Sequence, residues 1–194
     1  ALGIYIAMLC GLYLAMTAMM YGVAVFAGRE KLQRFAAGIL PAQAVAASTQ
    51  SSLASLPAMV DCTRNRLGYP QGVTSLVLPM AVSLFRITSP IQYMGVAAFI
   101  AWSYGIDISM QQMLLGVALA VVISIGSVGL PGAASFMGTN LPVTSAMGLP
   151  VEPLGLLLAV DLVPDIFATL GNVTADMTVT AGQVSSVEPC ARRM

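Results

Sequence analysis

Long apolar runs separated by short polar stretches make up most of this chain. No charged side chain occurs in residues 1–28, and none occurs in residues 108–151. A helix needs about 20 predominantly apolar residues to cross the hydrocarbon core of a bilayer. Of all residues, 58% are hydrophobic and 8% are charged, whereas about 25% are charged in a typical soluble domain. The pattern therefore predicts an all-α membrane protein.

The interruptions of the apolar pattern divide the chain into transmembrane helices and re-entrant helical hairpins. Pro90 removes a backbone donor and clashes with the preceding turn, so one of the helices is expected to be broken near residues 85–90. The predicted segments are a transmembrane helix at 1–28, a first re-entrant hairpin at 35–66, a broken transmembrane helix at 72–104, a second re-entrant hairpin at 108–150, a polar-striped transmembrane helix at 153–184 and a cytoplasmic tail at 185–194.

Each hairpin is predicted from a polar or glycine-rich stretch in the middle of an apolar segment. The first is Ser-Thr-Gln-Ser-Ser at 48–52, and the second is Ser-Ile-Gly-Ser-Val-Gly-Leu-Pro-Gly at 124–132. Irregular backbone is tolerated at membrane depth only where it is buried in protein or lines a watery cavity, so both tips are expected to be functional. Simpler interpretations are an ordinary serine-rich turn for the first tip and a close helix contact for the second.

A polar stripe runs through the last apolar segment. At about 100° per residue, its members lie within roughly 80° of one another on a helix. A carboxylate inside a bilayer costs a few kcal/mol, so it is expected to face a partner, a cavity or a bound cation. We interpret the stripe as a ligand and ion pathway; a structural pairing of Asp176 with Arg86 is the alternative. The stripe consists of Asp161, Asp165, Thr169, Asn172 and Asp176.

The basic residues are distributed unevenly over the predicted layout. Positive residues concentrate in cytoplasmic loops of membrane proteins, so this distribution predicts a multi-pass protein of the plasma (inner) membrane with a cytoplasmic C-terminus. Arg86 is the exception, at mid-depth beside the broken helix. Seven of the eight Lys and Arg residues fall on one side: Arg29, Lys31, Arg34, Arg64, Arg66, Arg192 and Arg193.

Composition also narrows the chemistry. The chain has no histidine, and its three cysteines are far apart, which argues against a zinc site, a disulfide framework and histidine-based catalysis. No basic patch suggests a nucleic-acid partner. No covalent chemistry is indicated, so the protein is not expected to be an enzyme. Because the sequence begins at Ala1 with no initiator Met, we expect it to be a fragment.

Two hairpins entering from opposite sides, a broken helix and a polar helix form the arrangement expected of a secondary transporter with inverted repeats. Over about residues 12–184, the chain resembles the C-terminal half, the transport domain, of the dicarboxylate/amino acid:cation symporters, the glutamate transporter family. The motifs that carry the resemblance are the serine-rich tip with Leu56-Pro57, Leu78-Pro79, the glycine-rich tip at 124–132, and the series Asp165, Thr169, Asn172-Val-Thr174 and Asp176.

The resemblance implies a site for a small-molecule substrate and sites for coupling ions, sodium or alternatively protons, with no organic cofactor. In the family, the acid matching Asp165 binds the substrate amino group, and both hairpin tips close over the substrate. The candidate substrate-binding residues are Ser51, Ser52, Arg86, Ser89, Leu130, Gly132, Asp165, Thr169 and Asn172. The candidate sodium ligands are Ser83, Ser124, Ile125, Ser127, Asn172 and Asp176.

Two departures from the family pattern affect these expectations. Where the family has Asn-Met-Asp-Gly-Thr in the broken helix, residues 85–89 read Phe-Arg-Ile-Thr-Ser, which predicts the loss of one cation site. Ala168 replaces the Arg that pairs with an acidic substrate, and Gln50 replaces an Arg found before the first tip in some members. Arg86 is expected to act either as a built-in cation beside Asp176 or as the partner of a substrate carboxylate.

The sequence thus predicts a secondary active transporter that couples cations, sodium first, to the symport of an amino acid or dicarboxylate. The alternative is an uncoupled or degenerate family member that acts as a membrane ligand-binding sensor. The lipid bilayer surrounds the protein in either case. The resemblance also implies a homotrimer, assembled through a scaffold region absent from this chain.

Overall fold

The computed structural model describes residues 2–126 and 133–191 of the chain. Every regular element in these two ranges is helical, which confirms the predicted all-α class. The elements are α1 (Leu2–Phe26), α2 (Leu32–Thr49), α3 (Ser52–Asp61), a π-helical turn (Cys62–Arg66), α4 (Gln71–Leu84), α5 (Thr88–Tyr104), α6 (Met110–Gly126), α7 (Ala133–Ala146), α8 (Pro153–Val160) and α9 (Leu162–Ala191).

Several of these helices have the length and composition of membrane spans. Among the described residues, the stretches Leu2–Phe26 and Gln71–Tyr104 qualify, and a third span is obtained if α8 and α9 are counted together. The Gln71–Tyr104 stretch contains the break between α4 and α5. Pro90 lies in the first turn of α5, where a missing N–H removes no helical hydrogen bond.

Helix α9 is the element against which most of the others pack. It contacts α1, α2, α3, α4, α5 and α8. One apolar cluster, with Tyr5, Tyr13 and Tyr93 among its members, surrounds the first part of α9, and a second, with Val173 and Met177, surrounds its later turns. The polar stripe therefore runs between two apolar cores.

The chain reverses direction between α2 and α3 at two consecutive residues, Gln50 and Ser51, which leave the helical conformation. Gln50 adopts a left-handed conformation with φ 52°, which ends α2. Ser51 is extended, and its hydroxyl oxygen accepts the Ala54 N–H at 3.2 Å, so it caps the start of α3. Such a cap satisfies one of the N–H groups that the first helical turn leaves without a partner. The two half-helices of the segment predicted as the first hairpin are thus joined at residues 50–51.

The last segment differs from the single striped helix expected over 153–184. Helices α8 and α9 meet at Asp161 with a bend of 69°. Pro164 explains the bend, because a proline ring clashes with the carbonyl four residues earlier, which here belongs to Val160, the last residue of α8. The bend places Asp161 at the corner between the two helices.

The base of the first hairpin is tied to the end of α1 by polar contacts outside the spans. The Tyr69 hydroxyl donates to the Glu30 carboxylate at 3.0 Å, and Arg34 lies 3.6 Å from Glu30. Burial and the neighbouring Glu30 charge raise the pKa of the Tyr69 hydroxyl. This hydroxyl therefore stays protonated and keeps donating at physiological pH, which helps hold α2 and α3 in place.

Candidate functional site

A cavity of about 170 Å³ lies where the breaks of the fold meet. The α2–α3 turn contributes Gln50, and the Gln50 amide nitrogen donates to the Leu162 carbonyl at 2.9 Å, which fixes the turn against the start of α9. The remaining polar or charged lining comes from the broken helix, α7 and the α8–α9 corner: Arg86, Gln92, Tyr93, Ser135, Thr139, Asp161 and Asp165.

Asp161 is held at the corner by two neutral donors. The Tyr5 hydroxyl donates to one carboxylate oxygen at 3.3 Å, and the Gln92 amide donates to the two oxygens at 3.1 and 3.3 Å. The side chain is only 7% exposed. Neutral hydrogen bonds satisfy the oxygens of a buried carboxylate but bring no opposite charge to it.

Asp165 lies one helical turn further along α9 and is half-buried. The Arg86 guanidinium is close enough to act electrostatically on Asp165 and also on Asp176. Arg86 itself belongs to the three-residue break between α4 and α5. The break therefore brings a positive charge to the middle of the acidic stripe, because its backbone has left the helical path.

The start of α5 is joined to α9 by side-chain and backbone hydrogen bonds. The Thr88 N–H donates to the Asn172 side-chain oxygen at 3.1 Å, and the Thr88 hydroxyl donates to the Ala168 carbonyl at 3.3 Å. Gly171 makes this approach possible, since a Cβ there would lie 2.8 Å from the Thr88 methyl carbon. Small residues let membrane helices pack this closely.

Asp176 lies in a different setting. It is 1% exposed, and within the described part of the chain neither of its carboxylate oxygens has a hydrogen-bond partner. An ionised carboxylate without compensation is costly to bury. Hard oxygen ligands such as Asp176 and the Asn172 amide oxygen suit a small alkali cation, so these two residues fit the cation expected from the sequence.

Some of the other predicted site residues lie at the α2–α3 turn, in α5 or in α9, and others lie outside the described residues. Ser51 and Ser52 are buried at the α2–α3 turn, and Ser89 is buried in the first turn of α5. Thr169 is buried too, with its hydroxyl donating to the Asp165 carbonyl at 2.9 Å. Ser127, Leu130 and Gly132 lie outside the described residues.

The second predicted cation site depends on backbone carbonyls near the ends of α4 and α6. These two helices are in contact. The Ser83 and Ser124 hydroxyls each donate to a carbonyl of their own helix at 2.7 Å, and Ile125 is exposed.

Sequence reasoning missed several residues of this site. Gln92 and Tyr5 bind Asp161, Thr88 binds Asn172, and Ser135 and Thr139 line the cavity. A signal existed for Gln92, because an amide in an otherwise apolar span is expected to have a functional partner. The sequence around the remaining residues is ordinary for membrane helices. Their part in the site is therefore recognised only from the way the helices pack.

Helices of spanning length whose breaks gather carboxylates, amides and a guanidinium around a cavity define an all-α membrane protein with a polar internal site. The chain belongs to the sodium:dicarboxylate symporter family, whose model matches residues 1–184. The resemblance inferred from the motifs is thereby confirmed.

Curated relatives are transporters of amino acids by name. The chain is 34% identical to excitatory amino acid transporter 3 of Mus musculus over 148 residues, which cover 76% of this chain and 28% of the relative. It is 36% identical to an excitatory amino acid transporter of Caenorhabditis elegans, over 73% of this chain and 28% of the relative. Neutral amino acid transporter B(0) of Mus musculus is 30% identical, over 76% and 26%. The chain thus spans 26% to 28% of the length of these relatives.

Proposed function

We propose that the protein is a secondary active transporter of the plasma membrane that couples sodium to the symport of an amino acid or a dicarboxylate. The observation that carries the proposal is a polar series on α9 beside the cavity and the broken helix. It consists of the half-buried Asp165 and the buried Thr169, Asn172 and Asp176. Buried ionisable groups in membrane spans mark ligand and ion pathways. The names of the relatives support an amino acid as the substrate.

In this proposal, the substrate lies between the hairpin tips, the break and α9. Asp165 binds its amino group, and Thr169 and Asn172 help hold its α-carboxylate, with Arg86 as the nearby cationic group. Ser51, Ser52 and Ser89 line the approach, and Leu130 and Gly132 of the second tip close over it. Asn172 and Asp176 bind one sodium ion. Carbonyls of Ser83, Ser124, Ile125 and Ser127 bind a second.

The segments 35–66 and 108–150 act as re-entrant hairpins that open and close the site, and no covalent step is involved. The charge distribution supports a cytoplasmic location for the C-terminus. Assembly into a homotrimer through a scaffold outside this chain completes the proposal.

The test is uptake of radiolabelled aspartate, succinate and serine by the protein in proteoliposomes, with and without an inward sodium gradient. Accumulation that requires the gradient is expected, because Asn172 and Asp176 keep oxygen ligands for sodium. Accumulation driven instead by a proton gradient would replace sodium with protons. Absence of accumulation under either gradient would contradict the transporter proposal.

A second candidate function is favoured by one observation. Phe85, Arg86 and Ile87 form the break between α4 and α5, so the positive charge of Arg86 stands where the resemblance leads us to expect cation ligands. A built-in cation beside Asp176 would favour ligand binding without ion coupling, as in a sensor. Saturable binding of an amino acid with no concentrative uptake would support this function.

The variant Arg86→Ala separates the two roles expected of the guanidinium. If Arg86 replaces a bound cation, its removal makes uptake more dependent on sodium. If Arg86 pairs with a substrate carboxylate, its removal abolishes the preference for acidic over neutral substrates. Unchanged uptake, sodium dependence and selectivity would contradict both roles.

A further inference from the structure

The charges around the cavity do not balance. Among the described residues that line it, the charged side chains are Asp161, Asp165 and Arg86. Two carboxylates and one guanidinium leave the lining with one excess negative charge when all are ionised. Desolvated charges attract an opposite charge strongly at short range, so a ligand that brings positive charge fits this cavity better than an anionic one.

Arg86 does not supply the missing charge at Asp161. Its guanidinium acts on Asp165 and Asp176, whereas the charged neighbour that acts on Asp161 is the like-charged Asp165. The hydrogen-bond donors on Asp161 are the uncharged Tyr5 and Gln92. Asp161 is thus a buried carboxylate at a cavity wall, and among the described residues its hydrogen-bond donors are neutral.

The neighbouring apolar residues add no positive charge either. Ala168, seven residues after Asp161 and three after Asp165, lies on the same side of α9 by helical spacing and is buried. Tyr13 of α1, which is also close to both carboxylates, contributes only a hydroxyl. In the described part of the chain, that fully buried hydroxyl has no hydrogen-bond partner.

We propose that the cavity selects a ligand with a second positive charge, an amino acid of the lysine or ornithine class, and that Asp161 determines this specificity by pairing with the side-chain cation. The inference rests on the proposed function, in which Asp165 binds the α-amino group. The two carboxylates are one helical turn apart, about 6 Å, so the two amines of one small molecule reach both. A proton on Asp161 would offset the same charge, and the test distinguishes these two occupants.

The experiment measures uptake of radiolabelled lysine, serine and aspartate at one fixed sodium gradient in proteoliposomes. For the unaltered protein we expect lysine uptake to exceed serine and aspartate uptake by about tenfold or more. Asp161→Asn keeps the shape and one acceptor oxygen but removes the charge. It should lower the ratio of lysine uptake to serine uptake about tenfold, and a single symmetric peak in size-exclusion chromatography shows that the variant is folded. Asp107→Asn, which removes an exposed loop charge, is the matched control and should change neither.

The outcomes separate this inference from the function on which it rests. Accumulation of serine or aspartate without lysine overturns the inference and leaves the transporter proposal standing. Failure to accumulate any of the three overturns both. If Asp161→Asn loses all uptake, Asp161→Glu decides: it restores the charge and should restore the preference for lysine, whereas recovery of serine uptake alone overturns the inference. Serine uptake that changes with pH, with no lysine uptake, would assign Asp161 to a proton.

Discussion

The two ends of the acidic stripe, Asp161 at the α8–α9 corner and Asp176 within α9, present the same residue type in opposite surroundings. Asp161 lines a cavity, and its oxygens accept hydrogen bonds from Tyr5 and Gln92. Asp176 does not line that cavity and lacks a hydrogen-bond partner among the described residues. The first setting suits a ligand that enters and leaves with its own polar groups, and the second suits a small bare ion. The environment, not the carboxylate, distinguishes the two roles.

The difference has a structural origin. Around Asp176, α9 is uninterrupted, and its neighbours Ala175 and Met177 are fully buried. Around Asp161, the 69° bend and the break between α4 and α5 separate the backbones and leave space. Breaks at membrane depth are tolerated where they line a cavity. The position of each helix interruption thus decides which carboxylate is accessible to a ligand.

The sharpest test of the comparison removes the charge at Asp165. We expect Asp165→Asn to weaken the apparent affinity for an amino acid by about 100-fold, because loss of a buried charge partner costs about 2–5 kcal/mol. The measurement is the concentration dependence of uptake, with Asp107→Asn as the charge-matched control. A change smaller than about threefold would show that the cavity is not the amine site.

Asp176→Asn tests whether the enclosed carboxylate of Asp176 binds sodium. Without sodium, we expect this variant to melt at a higher temperature than the unaltered protein, by about 3 °C for each kcal/mol of relieved burial cost. Sodium should raise the melting temperature of the unaltered protein, since ligands stabilise the state that binds them. It should raise that of the variant much less. An equal sodium effect in both proteins would remove Asp176 from the ion site.

Substitution of Gly171 tests the close contact between α5 and α9 that lies between Asp161 and Asp176. A Cβ at Gly171 would lie 2.8 Å from Thr88 and 3.2 Å from the Thr17 hydroxyl, so Gly171→Ala should destabilise the protein by about 1–3 kcal/mol through overpacking. Gly182→Ala is the matched control on the same helix, where a Cβ meets nothing within 4 Å. It should be neutral or stabilising by up to about 1 kcal/mol. Melting of both variants in detergent measures the difference, and equal melting temperatures would contradict the close contact.

The smallest effect is expected from loss of the hydrogen bond that joins the α2–α3 turn to the start of α9. Gln50→Ala removes the hydrogen bond to the Leu162 carbonyl, which is worth about 1 kcal/mol, or roughly a fivefold change in the half-saturating substrate concentration. Ser48→Ala is the control, since that exposed hydroxyl donates to the Val45 carbonyl of its own helix. The two variants are compared by uptake at several substrate concentrations. Identical values would indicate that the turn does not position the site.

Much of this architecture follows from local sequence. The apolar runs require membrane helices, the spacing of the stripe places Asp165, Thr169, Asn172 and Asp176 on one face of α9, and Phe85 to Pro90 predicts the break between α4 and α5. These are short-range properties, because helical periodicity and the missing donor of proline act within a turn or two. They were therefore readable along the chain.

The partners of the acidic residues were decided by tertiary structure alone. Tyr5 reaches Asp161 across 156 positions, and Gln92 reaches it across 69. The Thr88 contact with Asn172 likewise depends on how closely α5 approaches α9 at Gly171. Helical periodicity assigns a residue to a face but does not specify what packs against that face. The sequence therefore determined that α9 carries buried charge, whereas the packing of the broken helices around it determined that Asp161 lines a cavity while Asp176 is enclosed.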